Sequence, residues 1–489
     1  MIAWSRCAAM VALLALSSGV RAGDGDLDPS FNGSGEASAF GGTTAGGNVQ
    51  VLGQPDGKVV LIGILSTGPT SAGSLGVTRL HADGSIDTSF GTNGQAVIDA
   101  PSGGGLYSAY GALDASGRIV AGGTLDFGDH SVMFVTRLTA GGQLDSTFNH
   151  TGTLAINRAF VTAQGDTLSA IGVYSDPQTG TADDAILVAG SMQDAYGKFN
   201  ARQLAVVPLH ADGSYVTNAT IGNGTFFFGA LSDIARCYRT ALPNGAGYDS
   251  AAAIARRWFP DGSEIVALAG NAFSLGTNPD FGAIVELDNS LHAIGSFGIS
   301  GVSEFIFAAS GTAQVNAITL DDSNRVLVAG TDTSTDHYNL AVARILTTGY
   351  YDTSFHGNGR VIINFDESGG TFYSQGEAVL VQHDGSVLVG GQVVSAAVGQ
   401  KANFSLVRLG AGGVADSTFT NGTTITGAHK YVFSASNDFA NTASFTQGEK
   451  VLLGGIVGQP SGSFGVLRAT NDHIFGDGAE PAAFLPRIP

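Results

Sequence analysis

The sequence predicts an all-β chain, a β-propeller of seven four-stranded blades, with six or eight blades as alternative counts. Three observations predict it. A phrase of β-formers closed by small residues recurs seven times: VVLIG ending at Gly63, IVAGG at Gly123, ILVAG at Gly190, IVALAG at Gly270, VLVAG at Gly330, VLVGG at Gly391 and VLLGG at Gly455. Successive glycines stand roughly 60 to 80 positions apart, and self-similarity at such a period signals a repeat architecture. Glycine supplies 72 of 489 residues, about twice ordinary usage, which implies many short strands joined by tight turns.

The first residues read as a leader. Arg6 is a thin basic region, Ala8 to Leu16 is an apolar run too short to span a bilayer, and Val20 and Ala22 fit the −3 and −1 positions of a cleavage site. The expected division is a signal peptide over 1–22 and a single propeller domain over 23–489, exported to the periplasm or beyond. No later stretch is long and apolar enough for a transmembrane helix. Cys7 leaves with the leader, so Cys237 has no internal partner and reads as a packed small residue. The net charge of −19 argues against nucleic acid or an anionic membrane as partner.

Each unit can be taken strand by strand. In the first copy, Asn48 to Gln54 reads as a strand, Asp56-Gly57 as a hairpin turn that needs φ > 0, and Lys58 to Leu65 as the apolar strand. Ser74 to His81 is a third strand, Asp83-Gly84 a second hairpin, and Ser85 to Phe90 a fourth strand ended by Asn93-Gly94. The apolar run is buried on both faces, and its small terminal pair marks a close approach of another backbone. A lone sheet of this size cannot bury both faces, so units must stack. Radial stacking makes a propeller; a solenoid wants a shorter period, and a string of separate domains is the other alternative.

The third and fourth strands share the pattern R-L, turn, D-x-[ST]-[ST]-F, seen at Arg79 to Phe90, Arg137 to Phe148, Arg344 to Phe355 and Arg408 to Phe419. The copies at 204–224 and 284–301 are degenerate; the second keeps Phe297 but loses the Arg and Asp. The chain opens on LDPSFNGSG (27–35), the tail of a repeat without a head, and its last copy ends in a weakened tail. The expected closure therefore puts the N-terminal segment into the last blade. The repeat, D-x-[ST]-F-x-x-x-G, then D-G, an apolar strand ending in Gly, then V-x-R-L, resembles the delta-60 repeat of secreted bacterial proteins. That resemblance implies a β-propeller-like repeat protein and no catalytic residues. The tail IFGDGAEP resembles a short C-terminal motif of some secreted bacterial proteins, with Ala479 where an aromatic is usual.

Two insertions break the pattern, near 158–185 in the third unit and 225–254 in the fourth. The second contains Ser232 to Ala241, readable as a short helix capped by Ser232. On adjacent blades they could wall a binding site, although drift in tolerant loops is the plainer reading.

No catalytic or metal site is assigned from the sequence, and no cofactor. Asp28, Asp87, Asp145, Asp352 and Asp416 recur in every good copy, which points to a fold determinant that accepts backbone N–H bonds rather than to chemistry. A two-residue turn at Asp83-Gly84 would place Arg79 opposite Thr88, so that an Arg–Asp pair would bridge blades or need a wider loop. Asp24, Asp26 and Asp28 alternate as in calcium loops but lack the central Gly and distal Glu. The Asp-His pairs at 129–130, 336–337 and 472–473 lack zinc spacing. Asp183-Asp184 is a weak candidate for a glycosidase pair, since adjacent strand residues face apart. Trp258, Phe226 to Phe228 and Tyr248 are candidate sugar-stacking aromatics, with packing the plainer reading. The favoured function is a binding or structural module, more a non-enzyme than an enzyme, with partner unknown and extracellular polysaccharide or a cell-surface protein in view. The alternative is a carbohydrate-active propeller enzyme, glycoside hydrolase or polysaccharide lyase, with its site in the central channel. Single-copy Asp, Glu, His or Tyr at the channel mouth would favour the enzyme.

Overall fold

The computed structural model describes residues 24–471 apart from 41–43, 67–72, 102, 157–164, 175–184, 194–201, 217–237, 241–248, 260, 273–279, 309–310, 334–337, 366–371, 396–400, 420–424, 447 and 461. It is a seven-bladed β-propeller of antiparallel sheets. Blade 1 holds β2 (Thr44–Gly53), β3 (Val59–Ser66), β4 (Ser74–Leu80) and β5 (Gln95–Ile98). Blade 2 holds β6 (Gly105–Leu106) and β7 (Tyr110–Leu113), two pieces of one inner strand, then β8 (Ile119–Asp126), β9 (Ser131–Leu138) and β10 (Thr153–Ile156). Blade 3 holds β11 (Thr167–Tyr174), β12 (Ala185–Gln193), β13 (Arg202–His210) and β14 (Tyr238–Thr240). Blade 4 holds β15 (Ser250–Trp258), β16 (Glu264–Ala272), β17 (Phe281–Leu287) and β18 (Val302–Phe305). Blade 5 holds β19 (Ala313–Leu320), β20 (Val326–Asp332), β21 (Asn339–Ile345) and β22 (Arg360–Ile363). Blade 6 holds β23 (Phe372–Val381), β24 (Val387–Ser395), β25 (Ala402–Leu409) and β26 (Ala428–Tyr431). Blade 7 holds β27 (Asn437–Phe445), β28 (Val451–Gln459), β29 (Ser463–Ala469) and, from the other end of the chain, β1 (Glu36–Ala39). Among the described residues no helix is long and apolar enough to cross a membrane.

The recurrent phrase is the second strand of every blade. It is apolar on both faces because a blade stacks on both sides. The core is accordingly seven buried clusters, each shared by two adjacent blades; Ile62, Val77 and Phe90 of blade 1, for example, pack with Ala121 and Phe134 of blade 2. The glycine that closes the phrase is required by close approach: a Cβ on Gly330 would overlap the Gln314 carbonyl oxygen of the inner strand, and one on Gly391 that of Gln375.

The pattern R-L…D-x-[ST]-[ST]-F is a three-part plug, and here the structure corrects the sequence reading. Ser85 to Phe90 is not a strand; the fourth strand is β5, after the Asn93-Gly94 turn. Asp83-Gly84 is a turn closed by a single bridge, Leu80 with Ile86, rather than a two-stranded hairpin. The wider loop brings Asp87 back to its own blade's arginine: Arg79 Nε donates to Asp87 Oδ2 at 2.8 Å. The other carboxylate oxygen accepts from the Ser89 N–H and hydroxyl, as the corner role required. The guanidinium lies over Phe90, 4.8 Å from its centroid, and Nη1 donates to the Ala140 carbonyl of blade 2. The same unit recurs with Arg137, Asp145 and Phe148; with Arg344, Asp352 and Phe355; and with Arg408, Asp416 and Phe419.

The N-terminal segment closes the ring as the sequence suggested. Asp28 supplies the aspartate that the last repeat lacks: Arg468 Nε and Lys450 Nζ each donate to Asp28 Oδ2 at 2.7 Å, and Arg468 lies over Phe31. β1 then pairs with β29, from Glu36 opposite Leu467 to Ala39 opposite Phe464.

Of the insertions, 158–185 lies outside the described residues except for Gly165 and Asp166, β11 and Ala185. The second is corrected: Tyr238 to Thr240, read as part of a helix, forms the outer strand of blade 3, and Ser250 to Trp258 is the inner strand of blade 4. Most of the proposed helix, Cys237, Phe226 to Phe228 and Tyr248 lie outside the described residues, as do 1–22 and the IFGDGAEP tail.

Candidate functional site

The inner strands β2, β6–β7, β11, β15, β19, β23 and β27 surround the channel. Each runs beside the glycine-closed strand and each breaks register there. Bulges leave Gly47-Asn48, Ser169, Ala252, Asn316, Glu377 and Asn441 outside the pairing, and blade 2 breaks between β6 and β7, just before Tyr110. A bulge re-aims a side chain out of the sheet, and bulges concentrate at functional sites.

Three bulge positions hold asparagine, and each stitches its blade to the next. Asn48 Nδ2 donates to the Ala109 carbonyl and its Oδ1 accepts from the Ala109 N–H. Asn316 Nδ2 donates to the Gly376 carbonyl, and Asn441 Oδ1 accepts from the Val49 N–H across the closure. Blade 6 has Glu377 in this place. No hydrogen bond reaches its carboxyl from the described residues. Burial pushes its pKa up to about 8, so near neutrality it keeps its proton.

Tyr110 of blade 2 packs against the core that blades 2 and 3 share, with its hydroxyl within electrostatic reach of Glu377. Burial, and then the charge of Glu377, raise its hydroxyl to about 12. The waist thus presents two proton-bearing groups from distant blades. The inner strands carry no lysine, and their arginines, Arg256 and Arg257, end β15 on the lower side, where the Asp-Gly turns lie. The remaining inner-strand carboxylate, Asp438, is buried and already accepts from the Ser434 N–H and hydroxyl and the Gly458 N–H.

The candidates from sequence fall elsewhere. Asp24 pairs with Arg408 at 2.9 Å and Asp28 with Arg468, so the alternating carboxylates turn to different arginines; no group of three or more His, Cys, Asp or Glu able to hold a metal occurs among the described residues. Asp129 and His130 are joined at 2.6 Å on the surface, with His130 stacked on Phe127. Trp258 is half-buried at the lower end of β15, opposite Glu264. The other two Asp-His pairs and Asp183-Asp184 lie outside the described residues. Sequence reasoning missed Glu377 and Tyr110. The available signal was a lone charged residue, Glu377 in the inner-strand segment SQGEAVLV, where sister strands read VNAI and ANTA.

The sequence profile of a family described as a domain of unknown function (DUF5122), beta-propeller, matches residues 54–90, 115–148 and 382–419. Each segment runs from the turn after an inner strand to the plug phenylalanine, in blades 1, 2 and 6. The chain is thus related to an uncharacterised propeller family. No curated protein matches the chain. Among solved structures, a protein of unknown function from Dyadobacter fermentans is 13% identical, over 76% of this chain and 97% of that one, with a TM-score of 0.42. The polysaccharide lyase Uly1 is 10% identical, over 89% and 92%, with a TM-score of 0.43. A Penicillium chrysogenum α-L-arabinanase is 12% identical, over 77% and 99%, with a TM-score of 0.41. These likenesses are of fold. One expectation is corrected: a non-enzyme was favoured over an enzyme, whereas the solved propellers of similar fold include a polysaccharide lyase and an arabinanase.

Proposed function

We propose that this chain is an exported carbohydrate-active propeller, with residues 1–22 as leader and 23–489 as the working domain. It holds a glycan at the upper mouth of the channel and hydrolyses a glycosidic bond: Glu377 gives its proton to the leaving oxygen as the C–O bond breaks, and a water molecule bonds to the anomeric carbon and gives up its proton to solvent. The observation that carries this reading is the Glu377 carboxyl: single-copy, at the bulge of an inner strand, engaged by no hydrogen bond from described residues, and raised to about 8. A general acid works best when its pKa lies near the operating pH, and an ordinary glutamate would already have lost its proton. Tyr110, protonated to about 12, serves as a hydrogen-bond donor that orients the sugar rather than as a base.

The experiment is a release assay of purified 23–489 on a panel of bacterial and plant polysaccharides, read as new sugar ends. One member of the panel is expected to be cut, with activity holding below about pH 8 and falling above it as Glu377 ionises. Glu377→Gln should lower kcat by about a hundredfold or more, the usual worth of a positioned general acid. Tyr110→Phe should cost less and act mainly on KM. Absence of release on the whole panel, or full activity of E377Q, would sink the reading.

A further inference from the structure

We propose that Tyr338 and Tyr373 form a stacking platform for a neutral glycan on the upper face, over the boundary of blades 5 and 6. This rests on the carbohydrate reading above and names the subsite and the substrate class.

The two rings are side by side, with centroids 5.4 Å apart and planes tilted by 43°. Both are open to solvent, Tyr338 by 43% and Tyr373 by 37%. Two large aromatics that pack on one another and stay exposed present a contiguous apolar surface with polar tips, the form in which proteins meet the C–H face of a sugar. The backbone beneath is fixed. The Ser374 N–H donates to the Tyr338 carbonyl at 2.9 Å, and the Leu340 N–H donates to Ser374 Oγ at 2.9 Å, so the strand below Tyr373 is bonded to the chain that carries Tyr338. A preorganised platform spends little entropy on binding.

Its position ties it to the channel. Tyr373 and Glu377 lie on the same inner strand, β23, four residues apart, so the platform stands roughly 13 Å above the carboxyl at the rise of a strand. A chain lying on the tyrosines can run down the channel wall to Glu377. On the far side Tyr107, 62% exposed, stands three residues before Tyr110 in the broken inner strand of blade 2. Glu377 and Tyr110 therefore each have an exposed tyrosine upstream of them.

The class follows from charge. A uronate-rich polymer needs cations to balance its carboxylates. The inner strands offer none above Arg256 and Arg257 at the lower end of β15, exposed Lys401 just before β25 is a single charge at the upper end of blade 6, and the whole chain carries −19. Uncharged sugars pay no such penalty.

The test is calorimetric titration of 23–489 with linear arabino-, xylo-, manno-, galacto- and cello-hexaoses and with hexagalacturonate. One neutral hexaose should bind and hexagalacturonate should not. Tyr373→Ala and Tyr338→Ala should each weaken that binding by about tenfold, the phenylalanine variants should keep it, and Glu377→Gln should leave it intact while lowering turnover by about a hundredfold or more. Wild-type affinity in both alanine variants, binding of no neutral hexaose, or preference for hexagalacturonate would overturn the platform. Full turnover by E377Q would instead sink the catalytic reading, whatever the tyrosines do.

Discussion

An arginine that is nearly sequestered from water needs its charge answered on every side, and the repeated plug does this with three short-range contacts. Arg79 is answered by Asp87, by the ring of Phe90 and by a carbonyl of the next blade. Breaking a buried pair from one side leaves a charge with no compensation, which costs about 3–5 kcal/mol. Asp87→Asn should therefore lower the unfolding free energy by about 3 kcal/mol, read from urea denaturation, whereas a change at exposed Asp83 should be near neutral. Blade 4 replaces the pair by Glu286 and Ile294, with the same backbone bond between them. Burial raises Glu286 to about 7. The unfolded chain sheds this proton near 4.5 while the folded chain holds it to about 7, so the favourable contribution is complete below pH 4.5 and is lost as pH rises through 7. The window of 2.5 pH steps corresponds to roughly 3 kcal/mol. Urea midpoints measured at pH 5 and pH 8 should differ less in Glu286→Gln than in the parent.

The strands were legible where one residue type does one job. VLVAG reads as a doubly buried strand because only β-formers and small residues fit between two neighbouring blades, and its copies mark all seven blades. The outer strand was misplaced because D-x-[ST]-F looks like alternation but is a loop held by side-chain bonds; the true strand, such as Gln95–Ile98, is four ordinary residues with little pattern of its own. The latch was legible because LDPSF carries the plug signature without a preceding head. β1 covers the free edge of β29, and unpaired edges invite strand addition by other chains. Deleting residues 24–39 should therefore give oligomers in size-exclusion chromatography where the intact domain is monodisperse. Asp28 sets the acid limit of the same latch. Burial pushes its pKa up, but hydrogen bonds from Lys450 and Ser30 and the charge of Arg468 outweigh this and leave it at about 2; its contribution is present above pH 4 and fades as pH falls toward 2.

At the scale of the whole ring, blades are joined by their cores and by a circle of polar stitches. On the lower side arginine reaches forward from blade 1 to 2, 2 to 3, 5 to 6 and 7 to 1, while Arg408 of blade 6 meets Asp24 of the N-terminal segment. Blades 3 and 4 have Pro208 and Glu286 where that arginine would be; blade 4 still reaches blade 5 through a different arginine, Arg257, whose Nη1 donates to the Asp321 carbonyl. The candidate site was far less legible than the ring. A repeat announces itself by recurrence, whereas Glu377 and Tyr110 matter because they do not recur, and they meet only after three further blades have folded between them. The latch has one more consequence. The bond from Arg468 to Asp28 spans 440 residues, whereas a stitch between neighbouring blades, such as Asn48 to Ala109, spans 61. The first strand of the chain waits on the last, so the closed molecule comes into being in one final step, after every other part of it has been made.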